Sequence, residues 1–182
     1  DREELLFENR SIRISSFPLK HRIATNGFLF EEKESSRHMI REMINYYQIP
    51  VKRIQGIKEG ADFTAPDGSV VRNEILTTPG NPSRSYAYCS DTAYAPEIIP
   101  YIKGADLLYH EATFAESERA RAVETYHSTA RQAAEIAEAA RVKRLVIGHY
   151  SSRYSELGTL LKEAVEVFPN TELASEGKIF DL

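Results

Sequence analysis

The sequence has a single cysteine and no long apolar run among its 182 residues. Because Cys89 has no second cysteine to pair with, an intramolecular disulfide is excluded and a reducing compartment such as the cytoplasm is expected. No apolar stretch approaches the roughly 20 residues that a membrane-spanning helix needs. No signal-peptide pattern stands at the start either. We therefore expect a cytoplasmic protein with no membrane partner.

Basic residues are in slight deficit. The 23 Lys and Arg residues stand against 27 Asp and Glu residues, so the formal net charge is −4. A surface that binds nucleic acid is usually basic because it neutralises phosphates, so this balance disfavours such a partner unless a local basic patch exists. Hydrophobic residues make up 42% of the chain, which is enough for one sizeable core. We expect a single domain over residues 1–182.

Strand and helix patterns alternate along much of the chain, which predicts a mixed α/β fold with helices packed on a sheet. The first third is richer in antiparallel signals, including a polar turn at residues 8–11. The chain starts at Asp1 without a Met and enters a strand pattern almost at once, so we expect a fragment entered in mid-fold. The predicted strands are LLFENRSIRISSF (two strands), NGFLFEEK, SYAYCSD, ADLLYHEA, VKRLVIGHY and TELASEGKIFDL, and the predicted helices are residues 36–47, VKRIQGIKEG, YAPEIIPYIKG, TARQAAEIAEAA and SELGTLLKEAVEVF.

The chain has only five histidines, and four of them lie where a strand gives way to a loop. They are His21, His110, His127 and His149, and Asp91 ends the strand SYAYCSD. Ligands of open α/β layers bind in the loops at strand ends. Imidazole and carboxylate groups suit zinc, although manganese accepts similar ligands. The combination therefore predicts a metal site assembled by the fold.

Each candidate taken singly also has a structural interpretation. An Asp followed by Thr is usually a turn or a cap, and Ser128 is well placed as the N-cap of the helix that follows it. Arg153 could belong to a solvated helix start, and His38 lies on the polar side of the predicted helix 36–47. Cys89 alternates with Tyr88 and is predicted to be a small core residue. The repeated placement of metal-capable side chains at strand ends is what favours a site.

Several segments resemble a known family. LLYHEATF, YHSTARQAA and IGHYSSRY occur in this order and resemble ribonuclease Z, the family of transfer-RNA 3′-processing endonucleases in the metallo-β-lactamase superfamily. YCSDT resembles the strand of that family that ends in Gly-Asp-Thr, with Ser90 in place of the Gly. KHRIATNGFLFEE resembles its segment of a His followed by a Gly and an aromatic residue. The resemblance covers nearly the whole chain and implies the C-terminal half of a four-layer αβ/βα metallo-β-lactamase sandwich.

Carried onto this sequence, the resemblance implies a site for two zinc ions. His21 and His149 would be terminal ligands of different ions, and Asp91 would bridge the two. Two such ions can hold a hydroxide and neutralise charge on a phosphodiester. The resemblance also implies that Glu111 orients His127, which would protonate the departing 3′ oxygen.

Three further expectations concern the surroundings of these residues. Ser151 and Arg153 would lie near the scissile phosphate, as the resemblance implies. His110, the neighbour of Glu111, is expected to fix the loop instead of taking part in the reaction.

The sequence departs from the family in one important respect, because it contains no HxHxDH motif and no HxH at all. The three implied ligands are fewer than two four-coordinate zinc ions need. We therefore expect that an N-terminal half is missing and that the chain alone is inactive. The complete protein is expected to be a homodimer that removes the 3′ trailer from precursor transfer RNA. The alternatives are a broader RNA phosphodiesterase or 3′ exonuclease, and a non-catalytic half-domain that binds RNA or a partner.

Overall fold

A computed structural model describes residues 2–182, which form two compact units. The first unit joins residues 2–32 to residues 84–182, and the second is Lys33–Ser83. The strands are β1 (Glu4–Glu8), β2 (Ile12–Pro18), β3 (Asn26–Glu32), β4 (His38–Met39), β5 (Phe63–Thr64), β6 (Val70–Val71), β7 (Thr77–Thr78), β8 (Ser85–Cys89), β9 (Leu107–Glu111), β10 (Leu145–Gly148) and β11 (Thr171–Leu173). The helices are α1 (Arg41–Tyr46), α2 (Val51–Lys58), α3 (Asn73–Leu76), α4 (Ile99–Ile102), α5 (Arg119–Thr125), α6 (Ala130–Ala140) and α7 (Gly158–Val165).

The first unit is built on a seven-stranded mixed sheet in the order β1-β2-β3-β8-β9-β10-β11. Strands β1, β2, β3 and β8 pair antiparallel in succession, and β8, β9, β10 and β11 are parallel. The parallel strands are connected through α4, through α5 and α6, and through α7. Because parallel strands end at a common edge, the loops after β8, β9 and β10 come together there. The mixed α/β class predicted from the sequence is confirmed.

The core of this unit lies between the sheet and its helices. The alanines on one face of α6 are all buried, and their small side chains let the helix approach the sheet closely. Cys89 is fully buried in the same core, and burial raises the pKa of its thiol. It therefore behaves as a small apolar residue, which agrees with the prediction. The five alanines are Ala130, Ala133, Ala134, Ala137 and Ala140.

The start of α6 differs from the prediction. The N-cap is Thr129, whose Oγ1 accepts a hydrogen bond from the Gln132 amide, while the Gln132 side chain accepts one from the Thr129 amide. The prediction that Ser128 caps this helix is therefore wrong. Ser128 Oγ donates instead to the carbonyl of Thr92, 2.7 Å away. The Ser128 side chain therefore does not cap α6. It connects the segment before α6 to the loop after β8.

The unit Lys33–Ser83 has a small core of its own, formed by Ile49, Ile57, Phe63, Val71 and Leu76. Its β5 and β6 pair antiparallel around an Asp-Gly turn. The predicted helix over residues 36–47 is wrong at its start, because β4 pairs with β7 and α1 begins only after it. The Ile40 amide also bonds the Leu76 carbonyl at 2.9 Å, so long-range strand pairing overrides the local helical periodicity. His38 is exposed, as expected, but lies on β4.

The end of the chain is less regular than its pattern indicates. Helix α7 is shorter than the predicted helix SELGTLLKEAVEVF, and β11 is the strand found in the final segment among the described residues. No helix in residues 2–182 combines the length and apolarity that crossing a membrane requires.

Candidate active site

Four ionisable side chains meet at the edge where the parallel strands end. Asp91 follows β8, Glu111 is the last residue of β9, and His149 follows β10. His127 lies in the connection between α5 and α6, so the prediction that it lies where a strand ends is wrong. One ligand atom from each of the four lies within 4.8 Å of the others. The structure therefore brings together both members of the predicted proton-transfer pair and two of the three predicted metal ligands.

Glu111 is fully buried, and its carboxylate is surrounded by hydrogen-bond donors. Oε1 accepts from the Thr92 amide at 2.7 Å and from His127 Nδ1 at 2.8 Å. Oε2 accepts from the Thr113 hydroxyl at 2.6 Å and from the Ser128 amide at 3.1 Å. Four donors occupy the lone pairs of the two oxygens. Glu111 is thus saturated within the protein, which leaves it to orient His127 and makes it unsuited to bind a metal.

The pair has pKa values that move in opposite directions. Burial alone would raise the pKa of Glu111, but the hydrogen bonds from His127, Thr113 and Ser128 bring it below its ordinary value. The hydrogen bond to Glu111 raises the pKa of His127 above the ordinary value of 6.5, and partial burial opposes this only in part. The pair therefore favours an ionised carboxylate beside a charged imidazole. Such an imidazole can donate a proton from Nε2 near neutral pH.

His149 is held in an unusual backbone conformation, with φ at +57°. Gly148 precedes it, and a Cβ on that glycine would overlap the phenol of Tyr109, so the close approach of this side chain requires a glycine. The imidazole Nδ1 of His149 lies 3.0 Å from Thr113 Oγ1. The strained turn and the Thr113 contact together aim the Nε2 edge of the ring at Asp91.

The His149–Asp91 pair has the chemistry of a cation site. Thr113 has one hydroxyl hydrogen, and its shortest contact gives that hydrogen to the Glu111 carboxylate. Thr113 then accepts from Nδ1 of His149, which leaves a lone pair on Nε2. Nε2 lies 2.9 Å from Asp91 Oδ1, so two acceptors face each other and require a hydrogen or a cation between them. Nitrogen and carboxylate oxygen are both zinc ligands, so the residues present fit a metal.

His21 lies beside this group. Its Nδ1 is 2.9 Å from the carbonyl of Tyr126. Because a carbonyl only accepts, Nδ1 carries the hydrogen and Nε2 keeps a free lone pair. Its ring centroid is 5.3 Å from that of His127, which is in turn 5.3 Å from that of His149. A histidine whose second nitrogen donates to a protein acceptor is the arrangement typical of metal ligands.

The two predicted substrate-binding residues lie in the loop after β10. The Ser151 amide donates to the Thr113 carbonyl at 3.1 Å, so the backbone of this loop is tied to the loop that follows Glu111. The Arg153 side chain is about half exposed, and its guanidinium makes a loose ion pair with Glu118 at 3.5 Å. Both residues are thus near the edge that carries the site, and neither contacts the four clustered groups through its side chain in the contacts described for residues 2–182.

His110 and three small residues complete the surroundings. His110 is fully buried, its Nδ1 lies 2.7 Å from the carbonyl of Glu111, and burial lowers its pKa. This local contact is consistent with the loop-fixing role expected from the sequence. Sequence reasoning assigned no site role to Thr92, Thr113 and Ser128, which supply donors to Glu111. All three lie inside the quoted segments YCSDT, LLYHEATF and YHSTARQAA, but Thr92 and Ser128 act through backbone amides, which residue identity does not reveal.

Comparison with known proteins places this arrangement in a structural class. The metallo-β-lactamase fold protein YhfI from Bacillus subtilis superimposes with a TM-score of 0.62 at 18% identity, covering 96% of this chain and 51% of that protein. The human tRNase Z, short form, gives a TM-score of 0.55 at 23% identity, covering 99% of this chain and 47% of that one. Residues 75–150 match the family described as the β-lactamase superfamily domain. The chain therefore has the metallo-β-lactamase fold, as the resemblance implied.

Sequence similarity is more specific than the fold. The ribonuclease Z of Parabacteroides distasonis is 60% identical over 173 residues, which are 95% of this chain and 57% of that protein. The chain is therefore a homologue of ribonuclease Z over almost its whole length, and it spans little more than half of the curated relative.

Proposed function

We propose that the chain is the C-terminal half of a ribonuclease Z, a zinc-dependent endoribonuclease that removes the 3′ trailer from precursor transfer RNA. One observation carries the proposal. Asp91, Glu111, His127 and His149 meet within 4.8 Å at a strand edge, in a chain homologous to ribonuclease Z over 95% of its length. Four of the seven residues that the resemblance singled out are gathered at this edge, which supports the proposal.

Metal binding is assigned to His21, Asp91 and His149. Each imidazole commits Nδ1 to a protein acceptor, so Nε2 is the atom that would coordinate. Asp91 faces the Nε2 of His149 and supplies the carboxylate. When bound, two zinc ions would supply an activated water and neutralise charge on the phosphodiester. The remaining ligands would come from the HxHxDH motif of the missing half.

Proton transfer is assigned to Glu111 and His127. Glu111 fixes the ring of His127 through Nδ1 and raises its pKa, which leaves Nε2 as the atom that carries the transferable proton. When the phosphodiester bond breaks, the departing 3′ oxygen takes this proton and leaves as a hydroxyl. The leaving oxygen would otherwise depart as an unstable alkoxide.

Substrate binding is assigned to Ser151 and Arg153. The loose ion pair between Arg153 and Glu118 holds the guanidinium at the surface without saturating its five donors. An Arg at such a position can bind phosphate oxygens in a bidentate manner. Ser151 would offer its hydroxyl to the same phosphate.

A further layer would complete the fold. The side chains of Phe28, Phe30, Tyr86, Tyr88 and Tyr109 alternate with those that pack under the helices, so they lie on the opposite face of the sheet. The face is apolar, with ring stacks at 5.7 Å and 5.0 Å, and Phe30 is 38% exposed. An apolar sheet face is normally buried against another layer of structure. We propose that the missing half covers this face and that both halves form one domain, which makes the isolated chain inactive.

The remaining partners follow from the resemblance. We propose a homodimer, a precursor transfer RNA as substrate and a cytoplasmic location. The buried, unpaired Cys89 is compatible with a reducing compartment.

The test uses the full-length protein. It is purified, its zinc content is measured, and it is incubated with a precursor transfer RNA whose trailer is labelled. We expect about two zinc ions per chain and release of the trailer as one piece. His38→Ala should behave as the parent protein in both measurements, because His38 is an exposed histidine on β4 and is not among the residues assigned to the site.

The alternative functions give different results in the same experiment. Release of single nucleotides would favour a 3′ exonuclease, and cleavage of unrelated phosphodiesters at a similar rate would favour a broader phosphodiesterase. Neither zinc nor cleavage would overturn the proposal and favour a non-catalytic domain that binds RNA or a partner.

A further inference from the structure

Tyr126 occupies a backbone position that does not favour tyrosine. It follows α5 with φ at +60°, in the left-handed region. Its amide donates to the Val123 carbonyl at 3.3 Å, and the next amide, of His127, donates to the Ala122 carbonyl at 2.8 Å. This is the usual closure of a helix end, where Gly or Asn fits with less strain than a side chain with a bulky Cβ substituent. The backbone therefore does not explain why a tyrosine stands here.

Packing does not explain the residue either. The Tyr126 side chain is 41% exposed, so much of the ring lies outside any core. The ring stands edge-on to the imidazole of His21, with centroids 6.3 Å apart and planes at 83°. The carbonyl of the same residue accepts from His21 Nδ1 at 2.9 Å. Backbone and ring thus hold an exposed aromatic side chain beside a proposed metal ligand.

The ring also has a fixed relation to the proposed proton donor. His127 is the next residue, and its imidazole is held by Glu111 at 2.8 Å and lies 5.3 Å from that of His21. A phosphate bound between His21 and His127 would place the base of a flanking nucleotide near Tyr126. Single-stranded RNA bases stack readily on exposed aromatic rings, and this interaction tolerates any base because each has a π face.

We propose that Tyr126 is the stacking platform for a nucleobase next to the scissile phosphate. This inference rests on the proposed function, since it names how the same site holds the RNA. The ring is preorganised by the closed helix end and the His21 contact, so little side-chain freedom is lost when the base binds. The residue would position the RNA without touching the metal or the transferred proton.

The experiment places 2-aminopurine at the nucleotides on either side of the cleavage position in a short RNA. Full-length protein is titrated, and both the quenching of the fluorescent base and the Kd are measured. Tyr126→Phe keeps the ring, whereas Tyr126→Asn removes it and suits the left-handed backbone. We expect Tyr126→Phe to match the parent protein. We expect Tyr126→Asn to lose most of the quenching and to bind about tenfold more weakly.

Zinc content and a neighbouring variant separate stacking from a structural role. Val123→Ala changes an exposed residue of α5 and should leave binding unchanged. Zinc content should be the same in all variants. Parent-like quenching and affinity in Tyr126→Asn would overturn the proposal, and so would a loss of zinc in that variant, because the ring would then act through His21.

The proposed function can fail separately. If the parent protein does not release the trailer but Tyr126 still governs quenching, the stacking site stands and the assigned reaction is wrong.

Discussion

Glu111 and His127 are 16 residues apart in the chain, yet Oε1 of the first lies 2.8 Å from Nδ1 of the second. The carboxylate is fully buried and accepts three more hydrogen bonds, so it has little freedom to rotate away from His127. A buried, saturated carboxylate fixes both the orientation and the tautomer of the imidazole. The other nitrogen of His127 is thereby left for chemistry.

His127→Ala tests the separation of proton transfer from metal binding. Loss of a general acid slows a reaction by about 10²- to 10⁴-fold, while the proposed zinc ligands remain in place. We expect cleavage to slow by this order and the zinc content to stay that of the parent protein. Zinc is measured by elemental analysis and cleavage under single-turnover conditions. A variant that loses zinc would show that His127 is a ligand.

Glu111→Gln tests the effect of the carboxylate on the pH profile. Because the hydrogen bond to Glu111 raises the pKa of His127, its removal lowers that pKa. A general acid works only while protonated, so the fall of kcat/KM at high pH should move to lower pH in the variant. The amide also turns a donor toward groups that themselves donate, which costs about 1–3 kcal/mol of unfolding free energy. An unmoved profile would contradict the assigned pairing.

Asp91→Ala and His149→Ala test the metal site. Each removes one of two facing groups, 2.9 Å apart, that we propose as zinc ligands, so we expect loss of zinc and of nearly all cleavage in both variants. Asp181→Ala, which changes an exposed acid near the chain end, is the matched control and should retain both. Full zinc occupancy in Asp91→Ala would mean that this carboxylate does not bridge the ions.

Arg153→Ala tests phosphate binding. Each neutralised phosphate contributes to the dependence of affinity on salt. The slope of log K against log salt concentration should therefore become less steep by about the contribution of one phosphate contact. Arg131→Ala is the control, because Arg131 pairs with Glu166 at 2.8 Å on the exposed side of α6. Equal slopes in the two variants would assign Arg153 a structural role.

Asp106→Asn tests stability and not activity. Burial would raise the pKa of Asp106, but hydrogen bonds from Lys143 at 2.5 Å and from Ser85 at 2.7 Å lower it below the ordinary 3.8. An acid with a lowered pKa stabilises the folded state above its unfolded pKa and loses that effect as pH falls through the folded value. We expect the parent to lose stability below about pH 5. The variant should be less stable at pH 7, by about 1–2 kcal/mol, with a flatter acid limb.

Denaturation at several pH values measures this effect. A variant with the same acid limb as the parent would show that Asp106 contributes nothing through its charge.

Periodicity was sufficient for most elements of the first unit. The alternation along SYAYCSD set Cys89 in the core, and the alanine spacing in TARQAAEIAEAA set the buried face of α6. These patterns are local, because the face of a strand or helix on which a side chain lies follows from residue spacing alone. The prediction of a helix over residues 36–47 was wrong at its start because a local pattern does not reveal long-range pairing. The first residues of that segment pair with β7, about 40 positions away.

The candidate site was likewise predicted only in part from the sequence. Motif resemblance singled out Asp91, Glu111, His127 and His149. The strand ends at Asp91, Glu111 and His149 are visible in the pattern of the chain, whereas His127 lies between two helices. Only folding revealed that backbone amides of Thr92 and Ser128 saturate Glu111, since backbone donors leave no trace in side-chain identity. The exposed ring of Tyr126 beside His21 is likewise a product of chain crossovers that bring residues 105 positions apart into contact. Distances of this kind depend on packing among many segments, which no local pattern encodes.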